Sequence, residues 1–484
     1  MTVTIRRREL LAALGGAAVA WPLAAHAQQG ERMRLIGVLI PAPPRTTLIQ
    51  KEVFMSMVSR REFLSNSGAL GALAASSVFV SGAKAVMSAN DKFDLVIRGG
   101  EVIDPSQSLR GKRDIGIRFG AIEAVEANIP SERSLLSIDA SGKLVTPGLV
   151  DLHAHVFPYG SAIGIPPDEL VPHQCTTTVV SAGDGGANNI AALRRFVAAQ
   201  SRTRIYAFVH IANNGLSAFP IAELYNIDNA QVDACARAVA ENPDFAIGIK
   251  VRMSQNVIFK HGAEPLRRAI QAADQSGVPA RVMVHIGGVE TVELMTTILD
   301  LLRPGDILTH AYTGAPNMEG ARTNIVQDGK LLPAALEAKK RGVIFDVGHG
   351  GYSFDFTVAE VAIPQGCAPD TISSDIHVVS GNTPGMPYLP WVMSKFLVLG
   401  FSLEQVIAMA TINPAKIINR APGIGTLRIG APGDVAIMEM VEGPVSFVDP
   451  PGNRREGKAY LKPVQTVMNG VAFGRPYQQP FSVR

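Results

Sequence analysis

The sequence predicts an α/β protein: a (β/α)8 TIM barrel with a small β-sandwich domain built from the two segments that flank it. Between residues 145 and about 420, eight short apolar β runs alternate with helical segments, which is typical of this barrel. The flanking regions instead contain short strands separated by turns. The chain has 484 residues, enough for a barrel and a second domain.

Residues 1–88 are interpreted as an export-signal region that contains two tandem signals. In the first, Arg6-Arg7-Arg8 precede an apolar run that ends at Ala25-His26-Ala27. In the second, Ser59-Arg60-Arg61 and the apolar run after it resemble a twin-arginine signal. Because one protein needs only one signal, the start before Met57 is interpreted as mis-called. We expect export to the periplasm, with no stable membrane span because the apolar runs are short and interrupted.

The remaining domain boundaries lie where the sequence pattern changes between turn-separated strands and alternating strands and helices. Residues 89–144 form the first part of the β-sandwich, residues 145–420 the barrel and residues 421–484 the second part. Barrel strands are predicted to begin near Gly148, Thr176, Arg204, Phe245, Arg281, Asp306, Val343 and Thr371. Helices are predicted over 190–200, 230–241, 264–276, 291–302 and 331–341.

Composition excludes several classes of function. The 45 Lys and Arg nearly balance the 42 Asp and Glu, so the net charge of +3 predicts no nucleic-acid partner. The three cysteines, Cys175, Cys235 and Cys367, are far apart and form no C-x-x-C pair. This argues against a disulfide scaffold and against a cysteine zinc finger. A metal ion would therefore be held mainly by histidines and carboxylates.

Histidines close the first predicted barrel strand at His153 and His155. Residues two apart on a strand point to the same face, so both imidazoles can reach one metal ion. The alternative is a chance pair of hydrogen-bonded core histidines. The pair alone is a weak signal.

Further polar residues close four later strands: Lys250, His285, His310 and Asp375. The carboxyl ends of barrel strands converge on one mouth, and chance explains such a set poorly. Lys250 is flanked by apolar β-residues, and burial favours its neutral amine. A neutral amine can add carbon dioxide and become a carbamate, an anionic ligand able to bridge two cations. The alternative is a lysine that pairs with a carboxylate inside the barrel.

This set resembles the binuclear centre of the amidohydrolase superfamily. The runs Pro147-Gly-Leu-Val-Asp-Leu-His-Ala-His and Gly430-Ala-Pro-Gly-Asp-Val-Ala are similar to its strand-one and tail motifs. Gly248-Ile-Lys-Val-Arg-Met-Ser and Phe345-Asp-Val-Gly-His-Gly-Gly resemble the branch of dihydroorotase-like deacetylases. The resemblance covers residues 93–477 and implies hydrolysis of an amide bond in an N-acyl amino acid or a similar acyl acid.

The resemblance also implies a role for each residue. His153, His155 and Asp375 would bind one divalent metal ion and His285 and His310 the second, with a hydroxide and carbamylated Lys250 bridging them. Asp375 would transfer the proton of the attacking hydroxide to the leaving group. Zinc fits the His-rich set, while manganese, cobalt and iron stay open.

Two further residues are candidates for substrate contact. Arg252 would bind a substrate carboxylate in bidentate fashion, or else pair with a loop acid. His349 would donate to the substrate carbonyl oxygen, or else bond to backbone. His210 and His377 also end strands and are interpreted as structural histidines.

The expected substrate is a small acyl-amino-acid-like molecule. Cyclic amide hydrolysis, as in dihydroorotase or hydantoinase, and an esterase or detoxifying amidase are the alternatives in chemistry. A catalytically inactive barrel module is the alternative from another class, and the complete ligand set argues against it. The acyl group and the stereochemistry of the substrate stay open. The oligomeric state also stays open, and a homo-oligomer is one possibility.

Overall fold

The computed structural model describes residue 88 and residues 91–474. The predicted export signals lie outside the described residues except at Ser88, so both the signals and the export route stay predictions. Within the described part of the chain, no helix has the length and apolarity needed to cross a membrane.

Seventeen strands are found in the described residues. They are β1 Phe93–Asp104, β2 Leu109–Arg118, β3 Ala121–Glu126, β4 Ser134–Asp139, β5 Leu144–Pro147, β6 Leu149–Ala154, β7 Thr176–Gly186, β8 Arg204–His210, β9 Ala246–Arg252, β10 Arg281–His285, β11 Ile307–Thr309, β12 Val326–Gln327, β13 Lys330–Leu331, β14 Ile344–Asp346, β15 Val435–Val448, β16 Arg454–Met468 and β17 Val471–Phe473.

The flanking segments form one small β domain, as predicted. Its eight strands join in a single mixed sheet of order β17-β16-β15-β5-β1-β2-β3, with β4 paired to β1. The central contact between the two segments is the antiparallel pair of β15 with β5. Leu95 and Val145 from the first segment pack with Val435 and Val467 from the second in one buried cluster. The two flanking segments therefore share a hydrophobic core.

The barrel is a curled parallel sheet of order β14-β11-β10-β9-β8-β7-β6. The eighth predicted strand, near Thr371, is not a regular strand. This segment instead makes parallel bridges on both sides, from Thr371 to Asp346 of β14 and from Ile376 to Ala154 of β6. An irregular segment thus spans the gap between the first and last strands, and it contains Asp375.

The five helices predicted over 190–200, 230–241, 264–276, 291–302 and 331–341 are all found, and six further α-helices bring the described barrel region to eleven. They are α1 Pro167–Leu170, α2 Ile190–Ala192 (continued by a π-helix, Leu193–Ala198), α3 Val232–Ala240, α4 Gln255–Ile258, α5 Glu264–Gln275, α6 Val292–Leu301, α7 Pro333–Arg341, α8 Phe356–Ala362, α9 Leu389–Val398, α10 Leu403–Met409 and α11 Ile412–Ile417. Pro265 lies in the first turn of α5, and Gly342 ends α7 at φ 93°.

A buried lysine links the barrel to the β domain. The Lys395 amine of α9 donates to the carbonyl oxygens of Gly385, at 2.6 Å, and of Val448 on β15, at 2.8 Å. It also lies 2.8 Å from Nε2 of His349. Burial lowers the pKa of Lys395 to about 7. Three separate segments are therefore held by one side chain.

Replacing Lys395 by methionine is expected to destabilise the protein. The variant leaves buried acceptors on Gly385, Val448 and His349 without their donor, and each such group costs about 1–3 kcal/mol. We expect the free energy of unfolding to fall by about 2–4 kcal/mol, measured by urea denaturation. Lys416→Met, at an exposed helical position, is the matched control. An unchanged denaturation midpoint for the Lys395 variant would rule out this role.

Candidate metal centre

Three predicted ligands converge at the mouth of the barrel. Nε2 of His153 lies 3.2 Å and Nε2 of His155 lies 3.1 Å from Oδ1 of Asp375. One potential ligand atom from each residue lies within 4.8 Å of the others, and all three residues are buried. Although burial raises the pKa of Asp375, the two imidazoles hold it well below its usual range. The arrangement matches the binding of one cation by two imidazoles and a carboxylate.

Lys250 reaches the same point from β9. Its Nζ atom lies 3.2 Å from Nε2 of His153 and 3.6 Å from the sulfur of Met283. The side chain is fully buried, and this burial lowers the pKa of Lys250 to about 7. A substantial fraction of the amine is therefore neutral near pH 7.

The last two predicted ligands complete the cluster. The ring of His310 lies 4.9 Å from that of His153 and 4.2 Å from that of His285, measured between centroids. Nδ1 of His310 donates to the carbonyl oxygen of Gly348 at 2.6 Å, so its Nε2 carries the lone pair. That Nε2 is buried and has no hydrogen-bond partner. Burial also lowers the pKa of His310 to about 4. An unprotonated, unpaired nitrogen is suited to a metal ion.

A buried carboxylate that the sequence reading did not single out orients His155. Asp184, at the end of β7, lies 2.9 Å from Nδ1 of His155 and also accepts from Val156 N–H and the Ser181 hydroxyl. Burial lowers the pKa of His155, but Asp184 and Asp375 outweigh it and raise the pKa to about 9. Holding Nδ1 leaves Nε2 directed at the centre, as ligating histidines require.

Backbone strain accompanies two of the ligands. His310 has φ 62° and Asp375 has φ 50°, in the left-handed region that residues other than glycine seldom adopt. Such conformations cost about 1–3 kcal/mol each and tend to occur at functional sites. His310 directly follows the last residue of β11. Its left-handed backbone means that its side chain does not continue the alternation of side chains along the strand.

A cavity of about 310 Å³ opens above the ligands. His155, Lys250, His285 and Asp375 line part of it. Apolar side chains of Ile163, Leu216, Phe219 and Val379 line another part, and Arg252 also faces it. The cavity can therefore hold a small molecule with one anionic and one apolar group next to the ligand cluster.

Arg252 pairs with a loop acid, one of its two expected roles, and it also lines the cavity, while its contact with a substrate stays a prediction. The guanidinium lies on the cavity, and its Nη1 is 3.2 Å from each carboxylate oxygen of Glu223. Nε2 of buried His210 lies 3.4 Å from Oε1 of Glu223. The loop acid therefore holds in place an arginine that lines the cavity.

The expectation for His349 is corrected. This residue is fully buried, and its ring stacks on Phe354 at 5.0 Å. Nδ1 donates to the Gly350 carbonyl oxygen at 2.8 Å, and Nε2 accepts from Lys395. Neither ring nitrogen is available to a substrate carbonyl, because Nδ1 is bound to the backbone of its own loop and Nε2 to Lys395.

His377, interpreted as structural from sequence, lines the cavity instead. Its Nδ1 accepts the backbone N–H groups of Val379 and Ser380, at 3.2 and 3.3 Å. The ring proton is therefore on Nε2. The ring lies 5.7 Å from that of His155. His377 is thus a donor on the cavity wall, placed beside the ligands.

The residues present fit a pair of divalent cations. His153, His155 and Asp375 form one cluster, Lys250 and His310 lie against His153, and His285 lies against His310. The Nδ1 atoms of His153, His155 and His310 are each bound by a neighbour, which leaves Nε2 for a metal ion. The unpaired Nε2 of His310 is the most direct sign of a missing partner. The three cysteines are buried and form no disulfide.

Comparisons with known proteins agree with this geometry. The amidohydrolase family profile matches residues 357–472. A deacetylase of Agrobacterium fabrum is 33% identical over 354 residues, which cover 73% of this chain and 84% of that protein.

Two solved structures are similar over most of this chain. A crystal structure of an adenine deaminase has 31% identity and a TM-score of 0.70, over 79% of this chain and 100% of the other. A crystal structure of a dihydroorotase has 30% identity and a TM-score of 0.70, over 78% and 97%. These matches span the barrel and confirm its fold. The chain therefore belongs to the amidohydrolase superfamily, in its dihydroorotase-like deacetylase branch, and is a hydrolase that acts on carbon–nitrogen bonds.

Proposed function

We propose that this enzyme removes the acyl group from an N-acyl amino acid or a similar acyl acid. The observation that carries the proposal is the position of Arg252, which faces the same cavity as the ligand cluster. A guanidinium held by Glu223 is a preorganised site for a carboxylate. The similarity to a protein named as a deacetylase supports the same substrate class.

The centre would hold two divalent cations, with zinc the best fit to the His-rich ligands. His153, His155 and Asp375 would bind one, and His285 and His310 the other. Carbamylated Lys250 would bridge them, which its burial beside His153 and its lowered pKa favour. Two such cations lower the pKa of a bound water and polarise a carbonyl group.

The protein's own groups then perform the proton transfers. Asp375 accepts the proton of the attacking water and delivers it to the leaving nitrogen, so that the amine departs neutral. Its carboxylate is ionised beforehand, since His153 and His155 hold its pKa well below the usual range. The Nε2–H of His377 is available to a polar group of the bound substrate.

Binding orients the scissile bond. The carboxylate of the substrate meets Arg252, and an apolar side chain packs against Leu216 and Phe219. With both ends held, the acyl carbonyl is directed at the ligand cluster rather than at solvent.

Replacing Arg252 by methionine tests this reading directly. The variant loses a charge-assisted contact of about 2 kcal/mol, so we expect kcat/KM for an N-acetyl amino acid to fall about 30-fold. The matched substrate is the corresponding N-acetyl amino-acid amide, which lacks the carboxylate. The proposal requires the penalty to disappear for the amide. An equal loss for both substrates would show that Arg252 has only a structural role.

Cyclic amide hydrolysis is the second candidate, because a dihydroorotase structure is 30% identical over most of this chain. A panel of N-acetyl-D- and N-acetyl-L-amino acids, an acylated hydroxy acid and dihydroorotate separates the candidates. Preference for an N-acetyl amino acid supports the deacetylase, and preference for dihydroorotate or the ester moves the assignment to a cyclic amidase or an esterase.

A further inference from the structure

A network of hydroxyl groups surrounds the buried carboxylate of Asp346. The hydroxyls of Thr309 and Ser373 both donate to its Oδ2 atom at 2.7 Å, and Thr371 donates to Oδ1 at 2.7 Å. Asp346 does not contact His153 directly, since the nearest nitrogen is 4.0 Å away. A hydroxyl group has one proton, and each of these hydroxyls donates it to the carboxylate. In any further hydrogen bond, the hydroxyl oxygen can therefore only be the acceptor.

One branch of this network ends at the first metal site. Oγ1 of Thr309 lies 2.7 Å from Nδ1 of His153. Because Thr309 donates its proton to Asp346, it must accept the proton of Nδ1. His153 is thereby fixed as the tautomer with its lone pair on Nε2, the nitrogen that faces Asp375 and Lys250.

The other branch ends at the second metal site. Ser373 accepts the backbone N–H of Gly348 at 2.9 Å, and the carbonyl oxygen of the same glycine accepts from Nδ1 of His310 at 2.6 Å. Gly348 has φ 49°, and a Cβ there would lie 2.4 Å from Oγ1 of Thr309 and 2.8 Å from Nδ1 of His310. The backbone must therefore be glycine for the two branches to lie side by side.

We propose that Asp346 is a positioning residue shared by both metal sites: through Thr309 it orients His153, a ligand of the first metal, and through Ser373 and Gly348 it orients His310, a ligand of the second. This inference rests on the proposed metal centre. His155 differs from both, because Asp184 binds it directly. A hydroxyl can be removed without changing a charge, which makes the two branches testable one at a time.

The first test replaces Thr309 by valine, which keeps the shape and removes the hydroxyl. Loss of such an outer partner typically lowers metal affinity about 10–100-fold. We expect a loss of that size for one of the two metal ions, measured by competition of zinc between the protein and a chromophoric chelator. Thr309→Ser restores the hydroxyl and is expected to restore the affinity.

The second test replaces Ser373 by alanine, which removes the acceptor for Gly348. The same titration is expected to show weakened binding of the other metal ion, and the visible spectrum of the cobalt-substituted variant should change. Thr411→Val and Ser394→Ala are matched controls, since both hydroxyls are fully buried and bond to helix carbonyls instead.

The outcomes separate this inference from the proposed function. Wild-type protein that is folded and binds no metal would overturn the proposed centre itself. If the wild type binds metal and Thr309→Val and Ser373→Ala keep its metal affinities and cobalt spectrum, the positioning role of Asp346 is overturned, while the metal centre itself stands. If Thr309→Val does not fold, Thr309→Ala takes its place. Weakened zinc binding in the alanine variant that Thr309→Ser restores would support the positioning role of Asp346. Wild-type zinc affinity in the alanine variant would overturn it.

Discussion

Replacing Lys250 by alanine is expected to abolish hydrolysis and to reduce the metal content of the protein. Removing the side chain that we propose as the bridge between the metal ions is expected to take away about 4 kcal/mol or more of transition-state stabilisation, so kcat/KM should fall at least about 10³-fold. The buried amine reaches to 3.2 Å from Nε2 of His153, and no other described lysine lies on this cavity. Activity assays and metal analysis on the same sample measure both effects.

Two controls make the Lys250 result specific to the carbamate. Lys340→Ala, at an exposed helical position, should behave like the wild type. Metal-free wild-type protein should regain activity faster when zinc is supplied with bicarbonate than in carbon-dioxide-free buffer. Equal rates in the two buffers would rule out a carbamate, and full activity of the alanine variant would remove Lys250 from the centre.

The second large effect concerns Asp375. Asparagine keeps an oxygen that can bind a metal but cannot accept the proton of the attacking water. We expect kcat to fall by about 10²–10⁴-fold while most of the metal is retained. The measurement is kcat against metal content, together with the dependence of kcat/KM on pH. The acid limb due to Asp375 is expected below the ordinary pKa range of aspartate, because His153 and His155 lower its pKa, and it should disappear with the carboxylate.

Asp328→Asn is the matched control, since Asp328 is exposed and its φ of 50° suits asparagine equally well. Should Asp375→Asn retain the wild-type kcat and acid limb, the proton transfer would have to be assigned to another group. A variant that loses both metals would show instead that Asp375 acts mainly as a ligand.

Much of the fold could be predicted because its periodicity is local. Helix α5 begins one residue before Pro265 and α7 ends at Gly342, both at positions that capping physics favours. The eighth strand was harder to predict, because the apolar run near Thr371 looks like its neighbours. In the structure it makes only bridges, since its polar groups bond to Asp151 and Asp346 rather than to a regular ladder.

The convergence of the candidate ligands could be predicted because each is a polar residue that ends an apolar run, and barrel topology brings such ends together. Their supports could not, since Asp184, Thr309 and Asp346 look like ordinary strand residues and act through partners far away in sequence. For Asp184, the one usable signal was an acid in an otherwise uncharged strand before two glycines. His349 shows the reverse error: a histidine in a glycine-rich loop resembled a site residue but bonds to Lys395.

The most direct test of the central claim is the metal content of the purified protein, prepared with zinc and bicarbonate and assayed on the acyl-amino-acid panel. The binuclear centre predicts about two metal ions per chain and turnover that is lost when they are removed. Folded protein that binds no metal ion under these conditions would contradict it, and the function would then move to a catalytically inactive barrel.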